Sequence, residues 1–283
     1  MTSLSIYSCD FNKSIHKDLA TGLVTRGDGL SCESVYLAKG EETIKRNSFI
    51  YGEKFLVVFN NIEGFHKTDN YAFPGMSMRV TGEEGEVLLE EDDLYSGATE
   101  GYNYDPLQLH ATITAAAPIH SGNTYHLEIK IWDKKGEGTF TADLDFNVEG
   151  HDQINIESQN VAYEEIYLYS REGDLSVEEY IAGVDETIFM LFEGLEGFTV
   201  VEGKVHPGLS LSITDANGNT ILDEEDLMGD TGMEYADFHS QVAPNFILTG
   251  EEINNPVTCK ITIWDKGSEA RISASTQFTI VNE

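Results

Sequence analysis

An internal repeat constrains this chain more than any other feature. The phrase EIKIWDKKG at residues 128–136 returns as KITIWDKG at residues 260–267, 132 residues later. A shift of 133 aligns residues 55–95 with residues 188–228 without a gap, and 13 of those 41 positions are identical. Two copies of this length indicate whole domains rather than turns of a solenoid. We therefore predict two related domains with a boundary near Gly150.

Stretches of alternating apolar and polar residues occur at equivalent places in both copies. The segment MSMRVT at residues 76–81 alternates strictly, and LSLSIT at residues 209–214 repeats the pattern. Alternation with a period of two predicts strands with one buried face. The turn sequences that follow contain Gly85 and Gly218, and glycine can adopt the positive φ that a hairpin bulge requires.

Other segments complete a β-rich prediction for each copy. The runs FLVVF at residues 55–59 and IFMLF at residues 188–192 are apolar throughout, which predicts strands covered on both sides. The best helical candidate, DLSVEEYIAG at residues 174–183, is long enough for one or two turns. Seven or eight short strands in about 130 residues predict a sandwich of two sheets.

The end of each copy carries a resemblance to a known class of module. YHLEIKIWDKKG followed by TFTADLDFNV resembles the close of bacterial immunoglobulin-like (Ig-like) modules, in which an Asp-x-x-Gly type turn joins the last two strands. The repeat and this resemblance together predict an all-β chain of two tandem Ig-like antiparallel β-sandwich domains related by internal duplication. We place a flexible tether at residues 1–20, the first sandwich at 21–149 and the second at 150–283.

The amino-terminal segment resembles the tail of a bacterial lipoprotein signal. In such signals an apolar run and then a small residue come before the cysteine that is lipidated. Here Cys9 follows the run Leu4-Ser5-Ile6-Tyr7-Ser8 in the same way. It lacks a basic region and its apolar run is short, and both departures would follow if translation started further upstream. The resemblance implies lipidation at Cys9 and a bacterial cell-envelope location, anchored by lipid to the outer membrane. A secreted or periplasmic protein is the alternative.

The charge of the chain limits its partners. There are 17 basic and 50 acidic residues, for a net charge of −33, and both halves are acidic. Such a surface repels phosphate backbones and anionic lipid head groups, so we expect no nucleic-acid partner. We expect membrane contact only through the amino-terminal lipid.

Motifs of catalysis are missing from the sequence. The eight histidines form no HExxH, and no GxSxG elbow, P-loop or GxGxxG fingerprint occurs. The three cysteines include no CxxC pair. We therefore predict no catalytic residues and no cofactor other than Ca²⁺. A hydrolase remains the less favoured alternative, because 50 acidic residues offer many carboxylate pairs.

Two acidic runs occupy equivalent positions after the repeated hairpin. Four adjacent carboxylates in a loop form a candidate Ca²⁺ site, because this ion prefers hard oxygen ligands. The other interpretation is a solvated charged surface. The candidate ligands are Glu90, Glu91, Asp92 and Asp93 in the first copy and Asp223, Glu224, Glu225 and Asp226 in the second.

Aromatic residues give a second candidate surface. Trp132 and Trp264 end their strands on the outward row, and we expect the loops at about 96–110 and 229–242 to cover them. Tyrosine-rich loops beside carboxylates stack on and hydrogen-bond sugars or peptides, although many simply pack on themselves. The candidate ligand-binding residues are Trp132, Trp264, Tyr95, Tyr102, Tyr104 and Tyr235.

These features favour a binding or structural role over an enzymatic one. A catalytic site usually combines unlike residues in one cleft, whereas duplicated sandwiches commonly serve as spacers or receptors. We expect a non-enzymatic receptor, adhesion or scaffold protein with an unknown protein or glycan ligand. The alternatives are a Ca²⁺-dependent carbohydrate-binding protein and, less favoured and of a different class, a hydrolase.

Overall fold

A computed structural model describes residues 13–172, 175–176, 180–249 and 253–281. These described residues are 56% strand and 2% helix, which confirms the all-β prediction. In the first half the strands are β1 Lys13–Lys17, β2 Val24–Asp28, β3 Ser31–Lys39, β4 Glu42–Ile44, β5 Ser48–Ile50, β6 Lys54–Glu63, β7 Pro74–Thr81, β8 Val87–Glu91, β9 Leu109–Thr114, β10 Asn123–Asp133 and β11 Thr139–Glu149.

The described residues of the second half continue the pattern and add a short helix. Its elements are β12 Asn155–Gln159, β13 Glu165–Ser170, β14 Leu175–Ser176, β15 Ile181–Gly183, β16 Thr187–Glu193, β17 Lys204–Val205, β18 Pro207–Thr214, β19 Thr220–Glu224, β20 Met233–Glu234, α1 Tyr235–Ser240, β21 Asn245–Ile247, β22 Val257–Asp265 and β23 Arg271–Val281.

The prediction of a helix at residues 174–183 is wrong for the residues of this segment that the structure describes. Leu175–Ser176 forms β14 and Ile181–Gly183 forms β15, while residues 174 and 177–179 lie outside the described chain. β15 runs parallel to β23, so its backbone groups are satisfied by the ladder of the neighbouring strand rather than within a helix.

The chain divides into two compact units. The first contains the described residues up to 48 together with Phe55–Ile113 and Asn123–Asn147. The second contains Phe49–Lys54 and Thr114–Gly122 together with the described residues from 148 onward. Two segments that lie early in the sequence are therefore part of the second unit.

The first unit has two sheets that pack face to face. The larger sheet has the strand order β1-β2-β11-β10-β7-β8, and the smaller has the order β4-β3-β6-β9. Edge-to-face pairs join the sheets: Phe55 lies 5.7 Å from Phe146 and Phe59 lies 6.1 Å from Phe140, between ring centroids. Alternation along β10 and β11 buries one face of the larger sheet and leaves the other open to solvent.

The second unit is built in the same way. Its larger sheet has the order β12-β23-β22-β18-β19, and its smaller sheet has the order β14-β13-β16-β21. Strands β17 and β20 form a separate pair beside α1, whose Phe238 is fully buried. The core combines side chains of both sheets, among them Leu168, Met190, Phe192, Leu211, Ile261, Ile263 and Ile272.

Candidate functional site

Each repeated tryptophan lies over a glycine of the neighbouring strand. Trp132 on β10 is paired with Gly75 on β7, and Trp264 on β22 is paired with Gly208 on β18. A Cβ atom added to either glycine would lie 2.1 Å from Cε2 of the indole. Both indoles are half-buried. The adjacent strand therefore supplies part of the cover that the sequence suggested would come from loops.

The aspartate after each tryptophan holds a turn and a more distant segment together. Asp133 is 5% exposed, and its carboxylate accepts hydrogen bonds from the His66 N–H at 2.6 Å and the Lys135 N–H at 2.9 Å. Asp265 is 4% exposed and accepts a bond from the Thr199 N–H at 2.8 Å. These buried carboxylates are occupied by backbone donors and are part of the framework.

The hydrogen bonds of Asp265 also lower the pKa of its carboxyl. Burial alone would raise this pKa, but the bonds from Thr199 and Ser268 outweigh that effect. The Ser268 hydroxyl donates at 2.7 Å and the Gly267 N–H at 3.0 Å. The charged form of Asp265 is therefore the form that the turn stabilises.

The lysine of each repeated phrase pairs with the last carboxylate of an acidic run. Lys134 Nζ lies 2.7 Å from Asp93 Oδ2, and Lys266 Nζ lies 2.7 Å from Asp226 Oδ2. Asp93 also accepts a bond from the Met76 N–H at 3.1 Å. Burial would raise the pKa of Asp93, but the bonds from Lys134 and the backbone outweigh it and lower that pKa. The bond from Lys266 is the main cause of a lowered pKa at Asp226.

The other carboxylates of the two runs face solvent. In the second unit, Asp223, Glu224 and Glu225 are all exposed. In the first unit the exposed carboxylates of the run border an open groove of about 360 Å³ on the outer face of the larger sheet. The groove is lined by Ser77, Met78, Arg79, Glu90, Glu91, Asp92, Glu128, Ile129, Lys130, Thr141 and Asp143. In each run the last aspartate is thus paired with a lysine, and the other three candidate Ca²⁺ ligands are exposed, although Glu90 also lies 3.7 Å from the Nε atom of Arg79.

Three of the candidate tyrosines form one continuous group, which we call the tyrosine ladder: Tyr95, Tyr102 and Tyr104. The ring of Tyr102 lies 5.9 Å from that of Tyr95 and 6.1 Å from that of Tyr104. The Tyr95 hydroxyl bonds both the N–H and the carbonyl of His110 at 3.1 Å, which fixes the inner end of the ladder. Tyr104 is 67% exposed at the outer end. The ladder lies entirely within the first unit.

The fourth candidate tyrosine lies elsewhere. Tyr235 opens helix α1 of the second unit and is half-buried. Its ring centroid lies 5.8 Å from that of His239, one helical turn along.

A mixed group of ligand-type side chains on the open face of β10 and β11 escaped the sequence analysis. His126, Glu128 and Asp143 each offer one donor atom, and these atoms all lie within 4.8 Å of one another. Glu128 and Asp143 also line the groove beside the acidic run. Alternation along the strand predicts that His126 and Glu128 share the outward face, but the position of Asp143 depends on strand pairing.

A buried polar network in the second unit was also not anticipated. Glu193 accepts hydrogen bonds from the hydroxyls of Tyr51 at 2.7 Å and Tyr167 at 2.9 Å. Glu165 is 4% exposed and accepts from the Ser121 N–H at 2.7 Å and the Ser121 hydroxyl at 2.9 Å. Each carboxylate has dedicated donors, so the network fits a framework role.

The buried position of this network shifts several pKa values. Burial raises the pKa of Glu165 above its usual range, against the bonds from Ser121. Burial lowers the pKa of His151, whose Nε2 lies 3.0 Å from the Tyr51 carbonyl oxygen. Burial, with the neighbouring Glu193, raises the pKa of the Tyr51 and Tyr167 hydroxyls, which therefore stay protonated and able to donate.

The candidate lipidation site Cys9 lies outside the described residues. Within the described part of the chain, no helix has the length and apolar character needed to cross a membrane.

Comparison with known proteins gives no family. No protein-family model matches the chain, and no curated protein matches it. Among solved structures 142 chains match, one of them described as pT26-6p. That alignment covers 96% of this chain and 65% of the other, with 8% identity and a TM-score of 0.27. This chain thus spans less than two thirds of that protein, and likeness at this level shows neither a family nor a function.

Proposed function

We propose that this protein is a non-enzymatic binding module of the bacterial cell envelope that recognises a glycan. In this proposal the chain consists of two copies of one Ig-like sandwich, and the first copy carries the ligand surface. The observation that carries the proposal is the tyrosine ladder, which is anchored at Tyr95 and ends in solvent at Tyr104.

The ladder has the chemistry that sugar recognition requires. An aromatic ring offers an apolar face for stacking on the C–H face of a sugar, and its hydroxyl offers a polar edge. Glu100 and Asp105 are exposed and lie close in sequence to Tyr102 and Tyr104, so they can accept hydrogen bonds from sugar hydroxyls. A rigid inner end reduces the entropy lost when the outer ring is immobilised by a ligand.

A comparison of the two copies also supports the tyrosine ladder as the ligand surface. The residues that both copies share bond their own turns and strands: Asp133 and Asp265 hold backbone donors, and Lys134 and Lys266 pair with acidic residues. The ladder as a whole is not repeated: at the same shift of 133, Met228 stands in the place of Tyr95 and Asp237 in the place of Tyr104, although Tyr235 stands in the place of Tyr102. A feature that only one copy retains is free to serve a ligand rather than the common framework.

The envelope location rests on the lipoprotein-like segment that ends at Cys9. A lipid on Cys9 would place the sandwiches at the outer membrane, with a secreted or periplasmic protein as the alternative. Expression of the gene with its upstream region, followed by labelling with an alkyne-tagged fatty acid, tests this location. Label in the wild type and none in Cys9→Ala is expected. Equal labelling of the two would contradict it.

A Ca²⁺-dependent mode of carbohydrate binding is the second candidate. It is favoured by the groove of about 360 Å³ that Glu90, Glu91 and Asp92 border. Glycan binding that disappears in EDTA and returns with Ca²⁺ would select this mode. Binding that is indifferent to EDTA would select stacking on the tyrosine ladder.

A glycan array tests the proposed function directly. We expect the full-length chain to retain a defined set of oligosaccharides, and Tyr104→Ala to lose them. Tyr163→Ala is the matched control, because Tyr163 is 39% exposed and belongs to the second unit. No retained glycan, or equal losses with both variants, would contradict the proposal. Release of sugar products from the array would instead support the less favoured hydrolase.

A further inference from the structure

We propose that the outer face of the first unit carries a site for a divalent transition metal, formed by His126, Glu128 and Asp143. One donor atom from each of these residues lies within 4.8 Å of the others. This site is separate from the tyrosine ladder and does not depend on the proposed function.

The sheet brings the three side chains together by its regular geometry. His126 and Glu128 are two residues apart on β10, so they project from the same face of the strand. Asp143 lies on β11, which is the neighbour of β10 in the larger sheet. Strand positions are rigid, so this arrangement does not require a loop to order itself around the ion.

A fourth residue orients the histidine. His126 Nδ1 lies 2.6 Å from Asp145 Oδ1, while His126 Nε2 lies 3.9 Å from Glu128 Oε1. In protein metal sites a ligating histidine usually bonds a carboxylate through its other ring nitrogen, which fixes the tautomer and the direction of the ring. Asp145 therefore has the position of an orienting residue, with Nε2 of His126 left free of that bond and 3.9 Å from Glu128 Oε1.

The donor types favour zinc over calcium. One imidazole nitrogen and two carboxylate oxygens form a set that Zn²⁺ accepts, with water completing a tetrahedron. Ca²⁺ prefers six to eight oxygens and gains little from a nitrogen donor. Donor atoms around tetrahedral zinc lie about 3.3 Å apart. The donor atoms here lie up to 4.8 Å apart. The side chains of His126 and Glu128 are 39% and 52% exposed, so small rotations of these side chains can bring the donor atoms to the zinc spacing.

Arg26 opposes the metal and gives the site an internal test. Its guanidinium bonds Asp143 Oδ2, which leaves the other carboxylate oxygen for a metal. A positive charge beside the ligands repels a divalent cation, so removal of this charge should tighten binding.

The second unit provides a natural comparison. The same alignment that matches the two tryptophans places Thr258, Lys260 and Ser275 where the first copy has the three ligands. Lys260 and Ser275 are paired across β22 and β23, so the equivalent face presents a cation in place of a donor set. We therefore expect one metal per chain and not two.

Isothermal titration of the full-length chain with ZnCl₂ tests the site. We expect one saturable equivalent of Zn²⁺ in the wild type and loss of that equivalent in His126→Ala. Asp145→Asn should weaken binding by about tenfold or more, as loss of an orienting partner does. Glu90→Gln is the matched control, because it removes one charge from the same groove without removing a ligand.

A gain of affinity guards the test against misfolding. Arg26→Gln should bind Zn²⁺ more tightly than the wild type, and a damaged variant would not do so. No saturable Zn²⁺ binding in the wild type would overturn the proposal. Undiminished binding in His126→Ala, or an equal loss in Glu90→Gln, would show only attraction to an acidic surface and would overturn it as well.

Discussion

The contact between Trp132 and Gly75 is expected to make Gly75→Ala destabilising, although alanine normally suits a strand better than glycine. The added Cβ would lie 2.1 Å from Cε2 and 2.3 Å from Cζ2 of the indole, where ordinary contacts are at least 3.4 Å. The indole must therefore move by about 1.3 Å or the strands must separate. Trp132 on β10 is the direct strand partner of Gly75 on β7, so its side chain cannot move aside without losing its packing.

The size of the effect follows from two opposing contributions. Overpacking of this kind costs about 1–3 kcal/mol of unfolding free energy. The reduced entropy of the unfolded chain returns about 0.4–1 kcal/mol when glycine is replaced by alanine. We expect Gly75→Ala to lower the unfolding free energy by about 1–2 kcal/mol in sum.

Urea unfolding followed by circular dichroism measures this loss. Gly97→Ala is the control, because a Cβ there meets nothing within 4 Å, and it should be neutral or slightly stabilising. In a Trp132→Ala background the cost of Gly75→Ala should vanish, since the clashing ring is gone. Equal stability of Gly75→Ala and Gly97→Ala, or an undiminished cost in that background, would refute the packing role assigned to Trp132.

Three further predictions concern charges and the second unit. Lys134→Ala should cost about 1 kcal/mol or less at neutral pH, because the pair with Asp93 is 28% and 19% exposed. Because the pKa of Asp93 is lowered, the stability that its charged form contributes is present above pH about 4 and is lost as pH falls through the folded-state pKa. The melting temperatures of Lys134→Ala and wild type should therefore converge in acid. The raised pKa of Glu165 has the opposite effect on stability, which is lost as pH rises from about 4 through the folded-state pKa. The stability of Glu165→Gln should therefore rise relative to that of the wild type over this range. A difference in stability that does not change with pH would contradict this. A fragment of residues 150–283 should unfold cooperatively on its own, because these residues supply the core of the second unit. Its urea midpoint should be lower than that of a longer fragment that also carries Ser121, because the N–H and hydroxyl of Ser121 donate to Glu165.

Local patterns explain how much of the fold the sequence could predict. Alternation at residues 76–81 and 209–214 predicts strands that the structure extends by two residues, to Pro74–Thr81 and Pro207–Thr214. Such patterns depend only on neighbouring residues, so they survive without knowledge of the tertiary fold. The helix α1 at Tyr235–Ser240 was missed, because six residues carry too little periodicity to distinguish a helix from a loop.

Contacts between distant segments explain most of what could not be predicted. Ser121 bonds Glu165 across 44 residues, and Tyr51 bonds Glu193 across 142. No spacing in the sequence indicates such pairs, because they depend on strand register. By contrast, Tyr102 and Tyr104 lie two residues apart, so their shared role as a candidate surface was visible in the sequence.

One signal for the tryptophans was present in the sequence and went unused. The dipeptide Pro-Gly at residues 74–75 recurs at 207–208, in step with the two copies of the Trp-Asp-Lys phrase. A repeated glycine within a strand often marks a close approach by another group. Its recurrence alongside Trp132 and Trp264 therefore pointed to a glycine under each indole.

The central claim is that the tyrosine ladder is the ligand surface of the protein. Isothermal titration of wild type and Tyr104→Ala with an oligosaccharide retained on the array tests it most directly. Loss of a stacked ring at a site that is 67% exposed should weaken binding by at least about tenfold, while the melting temperature stays unchanged. Equal affinity of the two proteins for that oligosaccharide would contradict the claim.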